Sequence, residues 1–239
     1  MPFKLTKIKE VDAMGGPDAP VKGGDGFSMT PTRVGRYVIQ IIEKHVSQNR
    51  YGYWSGVPWG TPMRLNKNIT EVKMNNIWKP LTAVNIHWGK YQHAQSEVTK
   101  TILERYRDLN YVGVFPDKWV FSDFGHVAVK YFKDLNHNGR FDGKESIMGD
   151  FIHTTPDDEA RTARKEAFTL QGSHGCIHVK PNDIDALITA GYIKKGNNIE
   201  VHEYSERTIS LSLTRDRAKQ GYEVHFYPGI HKIVIYRVA

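Results

Sequence analysis

The chain has 239 residues and a mass of 27.3 kDa, enough for one large domain or two small ones. Hydrophobic residues make up 39% of it, which excludes a chain that is disordered throughout. The net charge of +7 favours an anionic partner, but zinc-finger spacing and RNP-type aromatic stretches are missing, so the sequence does not indicate nucleic acid. The longest strongly apolar run, Tyr37–Ile42, is too short to cross a membrane. The single cysteine, Cys176, excludes an internal disulfide bond.

The first part of the chain predicts a flexible arm that leads into a β-rich domain. Residues 15–26 hold five glycines and two prolines, so we expect residues 1–26 to form a flexible N-terminal arm. Residues 27–239 are then expected to form a single domain. Its first β-branched segment, Tyr37–Ile42, predicts a strand.

Residues 43–118 form an insertion or accessory segment of that domain. Within it, Val98, Ile102 and Tyr106 recur every four residues, which predicts a surface helix between residues 96 and 108.

The second half of the chain is dominated by strand patterns. Trp119–Phe132 and Thr208–Leu213 are strand-like, and residues 222–238 predict a closing hairpin around a Pro-Gly turn. Because strands outnumber helices, the sequence predicts a mostly β fold with inserted helices, in the α+β class.

The strongest chemical signal surrounds the cysteine, in the stretch Gly172-Ser173-His174-Gly175-Cys176-Ile177-His178-Val179. A thiol attacks a carbonyl as the thiolate, which nearby imidazoles and backbone N–H groups stabilise. Gly175 allows a close approach of the backbone to a substrate, so that N–H groups around Cys176 can bind an oxyanion. A lone cysteine is usually a small buried hydrophobe, but these neighbours favour a catalytic thiol.

This block resembles the signature of the L,D-transpeptidase (YkuD-type) catalytic domain, which implies a YkuD-like β-sandwich or barrel. Other motifs of the family follow in its order: Thr30-Pro31 with Gly35 and Tyr37, Ile152-His153, Pro181–Leu187 and Gly196–Val201. The resemblance covers residues 120–204 well and residues 27–42 loosely.

Carried over by position, the resemblance makes Cys176 the nucleophile and His153 the general base. The site and its oxyanion pocket are then shaped by Ser173, His174 and Gly175.

Two positions assigned to substrate binding depart from the family pattern. His178 stands where the family usually has arginine or asparagine, and Thr154 replaces the small residue often found after the base. The interval from His153 to Ser173 is also longer than is common, so Asp157–Phe168 is expected to be a helical lid or insertion.

The resemblance implies a cysteine acyltransferase that acts on the tetrapeptide stems of peptidoglycan. The thiolate attacks the carbonyl of an L-configured centre, D-alanine leaves, and a thioester remains. An amine resolves the thioester in L,D-transpeptidation, and water resolves it in L,D-carboxypeptidation. His153 takes the thiol proton and returns one to the leaving amine, and no cofactor is expected for this chemistry.

A second motif, Asp134–Glu145, fits the EF-hand calcium loop. The candidate metal ligands are Asp134, Asn136, Asn138, Arg140 through its carbonyl, Asp142 and Glu145. The preceding residues alternate like a strand, so a polar hairpin turn without metal stays open as an alternative. A bound Ca²⁺ would be structural and would lock the hairpin whose far strand ends at His153.

Two other functions stay open, a sortase-like protein transpeptidase and a non-catalytic, calcium-stabilised cell-wall-binding module. Only the enzyme hypotheses need an exposed Cys176 of low pKa. The expected substrate places the protein in the periplasm or cell envelope, yet the first ten residues lack the apolar core of a signal peptide. A recombinant start explains this, as does a secreted toxic effector with a secretion-system or immunity protein as its partner.

Overall fold

The computed structural model describes residues 2–23, 28–44, 57, 61–84, 95–108, 115, 117–119, 124–163 and 165–239. The chain divides into two compact units: residues 1–43, 128–153 and 169–239 form the first, and residues 44–127 and 154–168 form the second. The strands in chain order are β1 (Phe3–Met14), β2 (Val21–Lys22), β3 (Ser28–Met29), β4 (Gly35–Lys44), β5 (Met63–Asn66), β6 (Ile69–Met74), β7 (Ile77–Pro80), β8 (Val127–Phe132), β9 (Ile152–His153), β10 (Ile177–Val179), β11 (Asn198–Val201), β12 (Ser212–Arg215), β13 (Gly221–Tyr227) and β14 (Lys232–Val238). The helices are α1 (Leu81–Val84), α2 (Gln95–Asp108), α3 (Pro156–Ala163) and α4 (Pro181–Thr189).

The first unit is organised by one large sheet that closes on itself. In the described residues the strand order is β10-β9-β8-β4-β11-β13-β14-β1-β12, and β10 pairs in addition with β1. This last pairing joins the two sides of the sheet into a barrel. The prediction of a mostly β fold with a few inserted helices is therefore confirmed.

The N-terminal strand β1 completes the barrel by pairing with three strands. It lies antiparallel to β14 along most of its length, to β12 at its start and to β10 at its end. Leu5, Val11 and Ala13 are buried, and a register shift between Lys7 and Lys9 interrupts the ladder with β14. Across this shift, Leu5 pairs with Val238 and Val11 pairs with Ile233, two residues on opposite faces of β14, so the two ends of β1 bury their apolar side chains on opposite faces of the sheet.

The predicted flexible arm over residues 1–26 is therefore wrong for the part that β1 occupies. The glycines after β1 are also held in place: the Gly15 carbonyl accepts from the Ser173 N–H at 3.1 Å, and the Gly16 N–H donates to Thr32 Oγ1 at 3.1 Å. Glycine and proline content is a local signal, whereas the pairing that orders this segment comes from strands far along the chain.

Several predicted elements agree with the structure. The strand at Tyr37–Ile42 lies within β4, the helix between residues 96 and 108 is α2, and the closing hairpin is β13 and β14 joined by a 3-10 turn at Pro228–Ile230. The strand expected over Trp119–Phe132 is confirmed only for β8, with residues 120–123 outside the described part. The strand expected at Thr208–Leu213 begins later, at β12.

The second unit contains an antiparallel meander of β5, β6 and β7 that the sequence patterns did not predict. Both of its turns have two residues with positive φ, Lys67-Asn68 and Asn75-Asn76, the conformation of type I′ hairpins. Its core contains residues of strands, helices and loops, namely Val57, Met63, Val72, Leu81, Val98, Ile102 and Trp119. The assignment of residues 27–239 to a single domain stays a prediction.

A small apolar cluster in the first unit surrounds two buried histidines. The cluster consists of Leu5, Tyr227, Val234, Tyr236 and Val238. The Tyr227 ring stacks on His202 with centroids 3.8 Å apart. Burial lowers the pKa of His202 and lowers the pKa of His225 to about 4, so both imidazoles are neutral near neutral pH.

Within the described residues, no helix is both long enough and apolar enough to span a membrane.

The closure of the barrel by β1 can be tested by comparing two substitutions in that strand. Leu5 is completely buried, so Leu5→Ala should lower the free energy of unfolding by about 2–5 kcal/mol. Ile8 is 39% exposed, so Ile8→Ala should cost less than about 1 kcal/mol. Urea unfolding of the two variants measures the difference, and equal, negligible effects would mean that the segment is a mobile arm.

Candidate active site

The thiol of Cys176 lies at the entrance of β10, next to the start of β9. These two strands are parallel, with Ile177 paired to Ile152 and His178 paired to His153. The Phe151 N–H donates to Cys176 Sγ at 3.4 Å. A backbone donor aimed at the sulfur favours the thiolate over the thiol.

His153 and His178 form an edge-to-face ring pair on the two strands β9 and β10, with centroids 4.8 Å apart. His153 is buried, and the His178 Nδ1–H donates to the Gln171 carbonyl at 2.9 Å, which fixes the orientation of that ring. Side chains two residues apart on a strand share a face and are separated by about 6.6 Å. Cys176 therefore lies on the same face of the sheet as His178. His153 is paired with His178 on the neighbouring strand and lies on that face too.

Ser173 shapes the turn that carries the cysteine. Its side chain is buried, and its hydroxyl donates to the Cys176 carbonyl while accepting from the Gly175 N–H at 3.0 Å. His174 is exposed, and its carbonyl accepts from Thr30 Oγ1 at 3.0 Å. These bonds pull residues 173–176 into a tight loop that presents the thiol at its end.

Gly175 is the residue whose small size this loop requires. Its φ is +125°, which side-chain-bearing residues rarely adopt. A Cβ at this position would lie 3.2 Å from both Asp150 Oδ1 and Thr30 Oγ1. The Gly-Cys pair of the motif is thus explained by backbone geometry and by close packing.

The electrostatic setting keeps the resting thiol protonated. Burial raises the pKa of Cys176 to about 12, the Phe151 N–H opposes that rise, and the nearby Asp150 carboxylate adds to it. The site at rest therefore lacks the low thiol pKa that the sequence-based enzyme hypotheses required. An acceptor for the thiol proton is needed for reaction near neutral pH.

Asp150 and Tyr131 also belong to this site, and the motif alone did not single them out. Asp150 accepts from the Arg33 N–H at 3.1 Å, and burial raises the pKa of its carboxyl. The Tyr131 ring is buried against Tyr37, with centroids 5.1 Å apart. The pKa of Tyr131 lies well above its usual value because of burial, with smaller contributions from Asp150 and Cys176. The sequence signal for these residues was their position near the motif, Tyr131 within β8 and Asp150 two residues before β9.

A comparison with known families matches residues 12–201, well over half of the chain, to YkuD, the L,D-transpeptidase catalytic domain. The chain belongs to the L,D-transpeptidase catalytic domain family. The match begins within β1 and includes both Cys176 and His153, while the closing hairpin lies outside it. No match was found among curated proteins or among solved structures.

Members of the L,D-transpeptidase family act on peptidoglycan peptides and are usually associated with the cell envelope. In this member of the family, the residues that the motif singles out lie in one region of the first unit. They are Cys176, His153, His178, Ser173 and Gly175. Their catalytic roles stay predictions.

Thr154 lies in the second unit, where it is fully buried. Its hydroxyl donates to Glu159 Oε1 at 2.6 Å, and the same carboxylate oxygen accepts from the His126 N–H. Its role in substrate binding stays a prediction. The helix expected within Asp157–Phe168 is confirmed in part as α3, and its function as a lid is likewise untested.

The predicted calcium loop forms a turn organised by its own backbone N–H groups. The Asp134 carboxylate accepts from the N–H groups of Asn138 and Gly139 at 3.2 and 2.7 Å, and Gly139 has a φ of +71°. The Glu145 carboxylate accepts from the Leu135 N–H at 2.8 Å, which joins the two ends of the loop.

Metal binding would require some rearrangement of this loop. The side-chain amides of Asn136 and Asn138 donate to Asp142 at 2.9 and 2.8 Å. Among the described residues, Asp134, Asp142 and Glu145 are not part of a cluster of three or more converging metal-ligand side chains. The donor set of carboxylate, amide and carbonyl oxygens is nevertheless the kind that calcium prefers, so the residues fit this ion.

The protonation state of Cys176 predicts how fast it is alkylated. Well below a pKa of about 12, the thiolate fraction of the native protein grows about tenfold per pH unit. The rate of iodoacetamide modification, followed by intact-protein mass, should therefore keep rising between about pH 7 and pH 10. In denaturant the same rate should level off near the ordinary thiol pKa of about 8.5. A native rate that is already constant at neutral pH would contradict the protonated resting thiol.

Proposed function

We propose that this protein is a cysteine L,D-transpeptidase and L,D-carboxypeptidase that forms a thioester at Cys176 with peptidoglycan tetrapeptide stems. The observation that carries the proposal is the placement of the thiol. It lies at the start of β10 with the Phe151 N–H on its sulfur, and His153 lies on the neighbouring strand.

In the first half of the proposed reaction, His153 accepts the thiol proton as Sγ attacks the carbonyl carbon of the L-configured residue. The C–N bond to D-alanine then breaks, and the His153 imidazolium returns a proton to the leaving amine. In the second half, an amine or water attacks the thioester carbon, the C–S bond breaks, and the thiol of Cys176 is restored.

A protonated resting thiol is compatible with this mechanism, because the base needs to act only when a substrate carbonyl is in place. His153 is neutral when it acts as a base, and the imidazolium that follows is the best local partner for a thiolate. The turn at residues 173–176 then has two functions. Ser173 holds its shape, and the backbone N–H groups near Gly175 and Cys176 stabilise the oxyanion.

The remaining predicted residues receive supporting roles. His174, exposed beside the thiol, lines the entrance, and His178 replaces the family's usual arginine or asparagine in holding the substrate carboxylate. Thr154 orders the segment that follows the base. Which acceptor dominates, an amine or water, depends on access to the thioester.

Family membership favours peptidoglycan stems over the protein substrates of a sortase-like enzyme. It also favours action in the periplasm or cell envelope. The toxic-effector hypothesis, with its secretion-system or immunity partner, is separate from the catalytic proposal, which does not depend on it.

Turnover of purified tetrapeptide stems tests the proposal. D-Alanine release, measured by mass spectrometry together with the tripeptide and cross-linked products, should be abolished in Cys176→Ala. The variant His153→Gln should lower kcat/KM by about 100- to 10,000-fold, the usual contribution of a general base. The matched control His231→Asn changes an exposed histidine whose φ is +57°, and asparagine tolerates that conformation.

The control variant should keep wild-type activity. If Cys176→Ala released D-alanine as fast as the wild type, the thiol would not be the nucleophile. Binding of stems without any turnover would instead identify a non-catalytic cell-wall-binding module.

We also propose that the Asp134–Glu145 loop binds a structural Ca²⁺. The support is the matching donor set at Asp134, Asn136, Asn138, the Arg140 carbonyl, Asp142 and Glu145, and the preformed turn at Gly139. The loop connects β8 to the segment before β9, and Phe141 packs edge-on against Phe132 at 5.3 Å. A bound ion would therefore stabilise the strand that carries His153.

Calcium should raise the melting temperature of the protein, since an ion that binds only the folded state stabilises it by about 2.7 kcal/mol at one hundred times its Kd. Glu145→Gln should remove most of that rise by weakening the carboxylate that closes the loop. Lys144→Gln, a change at the adjacent exposed residue, should preserve it. A melting temperature that does not respond to millimolar calcium would leave the loop as a polar turn without metal.

A further inference from the structure

We propose that Glu200, His202 and His225 bind a divalent transition-metal ion of the zinc type, at a site separate from the thiol. Within the described residues, these are the His, Cys, Asp or Glu side chains whose ligand atoms all lie within 4.8 Å of one another. Two imidazoles and one carboxylate form a ligand set that zinc commonly uses, with water in the fourth position.

The parallel pairing of β11 and β13 creates this cluster. Glu200 and His225 are directly paired across the two strands, and His202 follows β11 two residues after Glu200. Residues two apart on an extended chain point to the same face. His225 is completely buried and His202 is 7% exposed, so the packing around both imidazoles holds them in place.

Each of the two histidines has an inner ring nitrogen, which faces the other histidine, and an outer ring nitrogen, which faces away from it. A carboxylate lies at each outer nitrogen and orients the ring. His202 Nδ1 lies 2.9 Å from Glu206 Oε2, and His225 Nε2 lies 3.2 Å from Glu223 Oε2. An ionised carboxylate only accepts hydrogen bonds, so both outer nitrogens carry the hydrogen. A carboxylate that holds the far nitrogen of a histidine is the usual outer shell of a metal-binding histidine.

The inner nitrogens of the two histidines face each other. In a neutral imidazole with one N–H, the other nitrogen is a lone-pair acceptor. His202 Nε2 and His225 Nδ1 lie 2.9 Å apart, within hydrogen-bond distance, so one further proton, or a metal ion in its place, would join the two nitrogens. Zinc with bonds of about 2.0–2.1 Å would hold these nitrogens about 3.3 Å apart, which needs an opening of only about 0.4 Å.

Glu200 completes the set and is itself held by a positive group. Its carboxylate lies 3.9 Å from His225 Nδ1 and also accepts from the Arg215 guanidinium. Metal-binding carboxylates are commonly hydrogen-bonded on their outer side in this way. Arg215 balances the charge of Glu200 when no metal is bound.

The proposed ion would link the closing hairpin of β13 and β14 to β11 in the rest of the sheet. His202 and His225 lie beyond residues 12–201, the part that matches the L,D-transpeptidase family, whereas Glu200 lies within that part. It joins β11 to β13 next to the stacked ring of Tyr227. The proposal is independent of the catalytic one.

The test is a zinc titration of the full chain against a chromophoric chelator, in the Cys176→Ala background and with excess calcium, so that the thiol and the calcium loop do not contribute. We expect one zinc ion per chain and a higher melting temperature in its presence. His225→Gln and the isosteric Glu200→Gln should each weaken binding by more than about tenfold, and Glu223→Gln should weaken it by about 10- to 100-fold. His231→Asn should bind zinc like the parent.

Circular dichroism shows which variants are folded, and Glu200→Gln carries the test if His225→Gln is not. Cobalt substitution gives a second measure, because tetrahedral Co²⁺ bound at these ligands has visible d–d absorption that the variants should lose. Absence of stoichiometric zinc binding by the folded parent would overturn the proposal. Equal zinc affinity in the parent and in Glu200→Gln would also overturn it, since the ion would then lie elsewhere.

Discussion

The pairing of β1 with β10 is the constraint on which the active site depends. Strand β10 has only three residues, and it pairs with a neighbouring strand on each side. It lies between β9, which carries His153, and the end of β1, where Met14 is paired with His178. The N-terminal segment therefore supplies one of the two strands that pair with β10, the strand that follows the cysteine.

The same pairing explains why the loop before the cysteine is so tightly specified. The chain leaves β1 at Gly15, whose carbonyl accepts from the Ser173 N–H, and Gly16 passes close to the backbone of Thr30 and Gly175. A Cβ at Gly16 would collide with the Thr30 carbonyl oxygen, and a Cβ at Gly175 would be crowded by Asp150 Oδ1 and Thr30 Oγ1. The turn that displays the thiol is thus held from both sides, by the N-terminal segment and by the hydrogen bonds of Ser173.

The reactive residues of the site were easier to predict from the sequence than the strands and turns that hold them in place. The block around Cys176 and the upstream His153 are local signals, because family motifs keep residue types at fixed spacing. The order in β1 depends on partners more than 150 residues away, so the glycines at residues 15 and 16 suggested a mobile arm. The meander of β5 to β7 was missed although its asparagine-containing turns are typical of hairpins. His202 and His225 could not be connected, since only the parallel pairing of β11 with β13 brings them together.

The most direct test of the central claim is to trap the enzyme during turnover. Acid quenching of a reaction with a tetrapeptide stem, followed by proteolysis and mass spectrometry, locates any covalent intermediate. The account predicts an acyl group equal to the stem without D-alanine, attached to the peptide that contains Cys176 and missing in Cys176→Ala. Release of D-alanine at the wild-type rate with that peptide unmodified, or with the acyl group on another residue, would contradict it.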